Sequence, residues 1–138
     1  MKFKIYSDGA SRGNPGISAI AFMIVTEDGR LLKEYSEHVG IRTNNQAEYE
    51  ALISALESAS KLTDQEVACY MDSELVVKHL NGEYRVRNPK LKTLWFKVQE
   101  LKQKFQRITF MNVPRTDIYI KQVDRLANQT LDKVKNKL

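Results

Sequence analysis

The 138-residue sequence predicts an α/β fold, a mixed sheet with helices packed on it. Three observations point there. Apolar, β-branched and aromatic runs recur at Lys2–Asp8, Ser18–Thr26, Leu31–Val39, Glu66–Met71 and Arg107–Asn112. Glu27-Asp28-Gly29-Arg30 is a hairpin signal, so the first three strands form an antiparallel meander. The two later strands are each preceded by helical patterns, which implies parallel crossovers. The order reads strand, strand, strand, helix, strand, helix, helix, strand, helix.

The helices follow from apolar spacing. Ala51, Leu52, Ala55, Leu56 and Ala59 form a stripe at three-and-four steps, with Asn44 or Asn45 as the expected N-cap. Leu91, Leu94, Trp95, Val98, Leu101 and Phe105 form another, entered through Asn88-Pro89. The last helix is expected to begin at Asp124, after the Val113-Pro114-Arg115 loop. No repeat or linker interrupts the chain, so residues 1–138 read as a single domain.

Composition narrows the class. Hydrophobic content of 42% and charged content of 28% are those of an ordinary globular protein. Cys69 is the only cysteine and lies in an apolar run, which excludes an internal disulfide or thiolate zinc site and fits a reducing cytoplasm. No stretch reaches transmembrane length and no signal-peptide core is visible, so no membrane partner is expected. A net charge of +5 suits a polyanionic partner.

Against that basic background, four acids stand in unusual places. Asp8 ends the first strand and precedes a glycine-rich turn, Asp72 ends the fourth, and Asp124 opens the last helix. Glu48 is placed in the first turn of its helix. At about 100° per residue it projects into the apolar stripe, whereas Glu50 and Glu57 point away. A buried carboxylate requires compensation or a proton. Either the helix N-terminus supplies it through the macrodipole, or a cation does.

Three segments then carry a resemblance. Ser7-Asp8-Gly9-Ala10-Ser11-Arg12-Gly13-Asn14-Pro15-Gly16, Thr43-Asn44-Asn45-Gln46-Ala47-Glu48-Tyr49-Glu50-Ala51-Leu52 and Met71-Asp72-Ser73-Glu74-Leu75-Val76-Val77 resemble, in order, motifs of type 1 ribonuclease H. Val113-Pro114-Arg115 with Asp124-Arg125-Leu126-Ala127-Asn128 resembles a fourth. The likeness spans the chain and is nearest the compact form of archaea and many bacteria, in which Arg after Pro replaces a loop His. It implies a ribonuclease H-like fold with a five-stranded sheet in the order 3-2-1-4-5. It also implies an endonuclease that cuts the RNA strand of RNA–DNA hybrids, leaving 5′-phosphate and 3′-hydroxyl ends.

By the same resemblance, Asp8, Glu48, Asp72 and Asp124 are the catalytic, metal-holding tetrad. The implied cofactor is two Mg²⁺ ions, with Mn²⁺ as a substitute, which suits an oxygen-only donor set. Asp8 is expected on both ions, Glu48 and Asp72 on the leaving-group ion, and Asp124 on the water-activating ion. Asn14, Asn44 and Asn45 match residues that read the minor groove, and Thr43 matches part of a DNA-phosphate pocket. The alternatives are turn chemistry before Pro15 for Asn14 and helix capping for Asn44 or Asn45, and both roles can coexist.

Arg85 and Arg87 fall where the family carries its basic handle, and Arg115 is assigned a part in phosphate handling or product release. Lys133, Lys135 and Lys137 read as solvated charges near a helix C-terminus. Two features depart from the pattern: the segment from Pro114 to Asp124 is longer than usual, and Ile17-Ser18 replaces a small-residue pair. The expected protein is a monomer. Activity on double-stranded RNA or junctions, and a non-catalytic binder of the same fold, are the alternatives.

Overall fold

The computed structural model describes residues 2–137, with side chains described through residue 134. Strands β1 (Lys2–Gly13), β2 (Gly16–Thr26) and β3 (Leu31–Arg42) lead into helix α1 (Asn44–Ala59). Strand β4 (Glu66–Met71) precedes helices α2 (Glu74–Leu80) and α3 (Pro89–Lys102), and β5 (Arg107–Asn112) precedes α4 (Ile118–Lys137). The five strands form one sheet in the order β3-β2-β1-β4-β5. The pairs β1–β2 and β2–β3 are antiparallel, and β1–β4 and β4–β5 are parallel, as the resemblance implied.

Alternation along the strands splits the core into two layers. Phe3, Ile5, Phe22 and Ile24 pack with Leu52, Leu56, Val76 and Val98 from α1, α2 and α3. Tyr6, Ala21, Met23 and Val25 face Ile120, Val123, Ala127 and Leu131 of α4. Strand β2 is therefore apolar along nearly its whole length, as a strand covered on both faces must be. Trp95 packs against the first layer and donates its Nε1–H to the His79 carbonyl at 3.3 Å, in keeping with a core role.

Several boundaries differ from expectation. β1 continues five residues beyond Asp8, because backbone pairing with β2 persists to Gly13↔Gly16 even where the side chains are polar. Only Asn14-Pro15 forms the turn, and Gly13 takes φ 103°, a conformation that favours glycine. β3 likewise runs to Arg42.

Thr43, rather than Asn44 or Asn45, caps α1. Its side chain accepts from Gln46 N while the Gln46 side chain accepts from Thr43 N, a complete capping box. Glu48 consequently sits in the second turn, beyond the first-turn position favoured by the macrodipole.

α4 begins at Ile118, six residues before Asp124, because Asp117 Oδ1 accepts from the Tyr119 and Ile120 N–H groups at 2.9 and 3.1 Å. The additional residues after Pro114 thus extend a helix. Lys133 is exposed; Lys135 and Lys137 lie outside the residues whose side chains are described.

Candidate active site

The parallel register places the first two acids side by side. Tyr6 pairs with Tyr70, so two residues further on Asp8, midway along β1 where its pairing with β4 has ended, comes beside Asp72, which directly follows β4. This is where the chain reverses its direction of winding across the sheet, the usual crevice of an open α/β fold. β4 ends at Met71, and Ser73 caps α2 by accepting from Val76 N.

Glu48 enters from α1. Gly9 lets that helix approach, since a Cβ on residue 9 would stand 2.3 Å from the Ala47 carbonyl carbon. The Gly9 N–H, past the last β1–β4 pair, donates to Glu48 Oε1 at 3.0 Å. Ligand oxygens of Asp8, Glu48 and Asp72 lie within 4.8 Å of one another.

Electrostatics makes this cluster unstable as three anions. Burial drives the Asp8 carboxyl far above its ordinary range, and the charges of Glu48, Asp72 and Asp124 add to that. Burial lifts Glu48 to about 7, against the lowering influence of the neighbouring Asp8 carboxyl, the Gly9 N–H and Arg115. Asp72 is also raised by burial, with Arg115 pulling in the opposite sense. Arg115 Nε stands 3.5 Å from Asp72 Oδ2, on a side chain that is 92% exposed.

The remaining sequence-predicted residues occupy distinct places. Asp124 lies outside the three-acid cluster, exposed on α4, but lines the same cleft of about 900 Å³. Asn44 and Asn45 also line this cleft. Asn14 Oδ1 accepts from Asn44 N at 3.0 Å, tying the β1–β2 turn to the start of α1 and leaving the Asn14 amide N–H groups uncommitted by that bond. Thr43 serves as the cap of α1. Arg85 and Arg87 are exposed on either side of buried Val86 in the α2–α3 connection, away from the cleft lining.

Two residues that stand in the family-like motifs without an assigned role also act in this region. Asn128 Nδ2 donates to Asp124 Oδ1 at 3.3 Å, and Arg12 reaches α4 from the end of β1. The i,i+4 spacing of Asp124 and Asn128 is a visible signal. Arg12 carries none, because its partners lie more than a hundred residues away.

The donor set fits a hard divalent cation. All ligand atoms are carboxylate oxygens, and among the described residues buried Glu48 Oε2 has no hydrogen-bond partner, an arrangement a cation would satisfy. A mixed sheet in the order 3-2-1-4-5, with acids from β1, α1 and the end of β4 meeting beside it, defines the ribonuclease H-like class of fold.

Comparison with known proteins agrees. The family profile described as "Reverse transcriptase-like" matches residues 6–130. The crystal structure of RNase H1 from the halophilic archaeon Halobacterium salinarum superposes with a TM-score of 0.91 at 39% identity, covering 96% of this chain and 99% of that one. LC11-RNase H1, solved in complex with RNA/DNA hybrid, gives 0.90 at 41% identity, with 96% and 98% covered. The Mycobacterium tuberculosis "Bifunctional protein Rv2228c" is 42% identical over 134 residues, 96% of this chain and 36% of that protein. The chain spans 63% of the Halobacterium salinarum protein named Ribonuclease HI. The chain belongs to the type 1 ribonuclease H family.

Proposed function

We propose that this chain is a metal-dependent endonuclease that hydrolyses the RNA strand of RNA–DNA hybrids, leaving 5′-phosphate and 3′-hydroxyl ends. The observation that carries the reading is the cluster of Asp8, Glu48 and Asp72, mutually within 4.8 Å at the base of an open cleft. Three carboxylates set against a polyanionic substrate would repel it, so a binder would gain nothing from them. The hybrid-bound relative supports the substrate class.

In this reading Asp8, Glu48, Asp72 and Asp124 hold two Mg²⁺ ions, with Mn²⁺ able to replace them. Once bound, the ions supply an activated water and neutralise charge on the leaving 3′-oxygen. The protein's own groups prepare that chemistry. Asp8, buried in β1, would serve both ions, with Glu48 and Asp72 on the leaving-group side and Asp124 on the water side. Gly9 orients Glu48 through its N–H.

Asn14, Asn44 and Asn45 face the 2′-hydroxyl side of the substrate, where an amide can both donate and accept. Thr43, which caps α1, contacts a DNA-strand phosphate, Arg85 and Arg87 contact the hybrid backbone, and Arg115 assists phosphate handling. Residues 1–138 act as one monomeric domain, in the cytoplasm; among the described residues no helix is long and apolar enough to cross a membrane.

End-labelled RNA–DNA hybrid, single-stranded RNA, RNA duplex and DNA duplex incubated with Mg²⁺ or Mn²⁺ test this reading, beside an Asp72→Asn control. Cleavage of only the hybrid's RNA, lost in the control, is the expected result. Intact hybrid with binding retained would establish a non-catalytic binder, and preference for the RNA duplex would reassign the substrate.

A further inference from the structure

Asp124 differs from the other three acids in what holds it. Asp8 and Glu48 are buried, and Asp72 is 13% exposed at its side chain and flanked by Arg115, whereas Asp124 stands exposed on α4. An exposed aspartate retains rotamer freedom, which a metal ligand must surrender on binding. Something that restricts it beforehand would strengthen its hold on a cation.

Asn128 is placed to do so. One turn further along α4, its Nδ2 donates to Asp124 Oδ1 at 3.3 Å and to the Asp124 carbonyl at 3.0 Å. The turn that carries Asn128 is itself held from the sheet. Arg12 Nη2 donates to the Asn128 carbonyl at 3.3 Å and to Asp132 Oδ1 at 2.6 Å. From β3, Ser36 Oγ donates to the Leu126 carbonyl at 3.3 Å and stands 2.7 Å from Thr130 Oγ1. The result is a continuous path from the end of β1, through Arg12 and Asn128, to the Asp124 carboxylate.

We infer that Asn128 is a positioning residue that presents the Asp124 carboxylate to the cation, and that Arg12 fixes the helical turn from which it does so. The inference rests on Asp124 being a metal ligand. Ligating carboxylates are commonly oriented by such outer hydrogen bonds, and loss of one typically costs about 10- to 100-fold in metal affinity or activity. A bond made only to the Asp124 backbone carbonyl would affect helix stability and leave metal response alone.

The experiment measures the Mg²⁺ concentration giving half-maximal hybrid cleavage, together with thermal melting. It compares wild type, Asn128→Ala, Arg12→Ala, Arg12→Lys and Asp124→Asn. Asn128→Ala should raise the Mg²⁺ midpoint about ten-fold. Arg12→Ala should raise it less, and Arg12→Lys, which keeps a cation for Asp132, should restore most of the loss. A second readout needs no metal: the Asn128 side-chain amide signals in a ¹H–¹⁵N spectrum, assigned by their absence in Asn128→Ala, should move in Asp124→Asn.

An unchanged Mg²⁺ midpoint in a folded Asn128→Ala protein, or amide signals indifferent to Asp124→Asn, would overturn the inference while leaving the tetrad intact. Wild-type cleavage and Mg²⁺ response in Asp124→Asn would instead overturn the tetrad reading, and this inference with it.

Discussion

The Gly9 N–H donates to Glu48 Oε1 at 3.0 Å, at a point where α1 backbone lies directly against β1. The bond and the close approach have the same cause. Residue 9 has no Cβ, so helix backbone occupies the space a side chain would fill.

Gly9→Ala should therefore damage both fold and site. The new Cβ would meet the Ala47 carbonyl carbon at 2.3 Å and Glu48 N at 2.5 Å, so α1 must retreat. Overpacking of this kind costs about 1–3 kcal/mol, and displacement of Glu48 should reduce cleavage by about 100-fold. Urea denaturation and single-turnover cleavage measure the two effects separately.

Thr43→Ala should weaken α1 through its cap. Loss of the Thr43 side-chain acceptor leaves the Gln46 N–H without its partner, at a cost of about 1 kcal/mol. Thr43→Ser, which keeps the hydroxyl, should recover most of it. The shift in urea midpoint reads this directly.

Without metal, the carboxylate cluster makes stability depend on pH in the direction opposite to a salt bridge. Glu48 is raised from its ordinary 4.5 to about 7, so the folded state holds a proton that the unfolded chain releases. Its stabilising contribution is full below about 4.5 and is lost as pH rises through about 7. Glu48→Gln should melt with wild type at pH 4.5 and several degrees above it at pH 8 in chelator, while losing cleavage. Excess Mg²⁺ should reverse the order at pH 8, because the ion stabilises only the intact acidic set.

Arg115 lowers the pKa of both Asp72 and Glu48. Removing its charge in Arg115→Gln should let both carboxyls protonate at higher pH. The acid limb of the pH–rate profile at fixed Mg²⁺ should move upward. Arg115→Lys should lie between the two, since it keeps the charge but not the guanidinium geometry.

Local signals made much of this protein legible. Apolar runs mark all five strands, apolar spacing marks α1 and α3, and β4 and β5 have the bounds their apolar runs suggest. Glu48 was conspicuous because a carboxylate interrupts the apolar stripe of α1, and the capping chemistry at residues 43–46 was visible in kind. α4 starts ahead of the expected Asp124 because Asp117, an N-cap signal in front of Ile118 and Ile120, accepts from the first-turn N–H groups.

By itself the chain's order of residues determined which acids follow apolar runs, which stripes seek a core, and which family motifs are present. These are properties of neighbours within a few positions, where side-chain spacing and backbone preference act. Only the tertiary structure decided that Asp8 and Asp72 meet through parallel register, that α1 closes on Gly9, and that Asp124 remains exposed. Arg12 bonding across to Asp132 belongs with these. Such relations depend on strand pairing and packing between segments distant in the chain, and no local propensity encodes the distance between them.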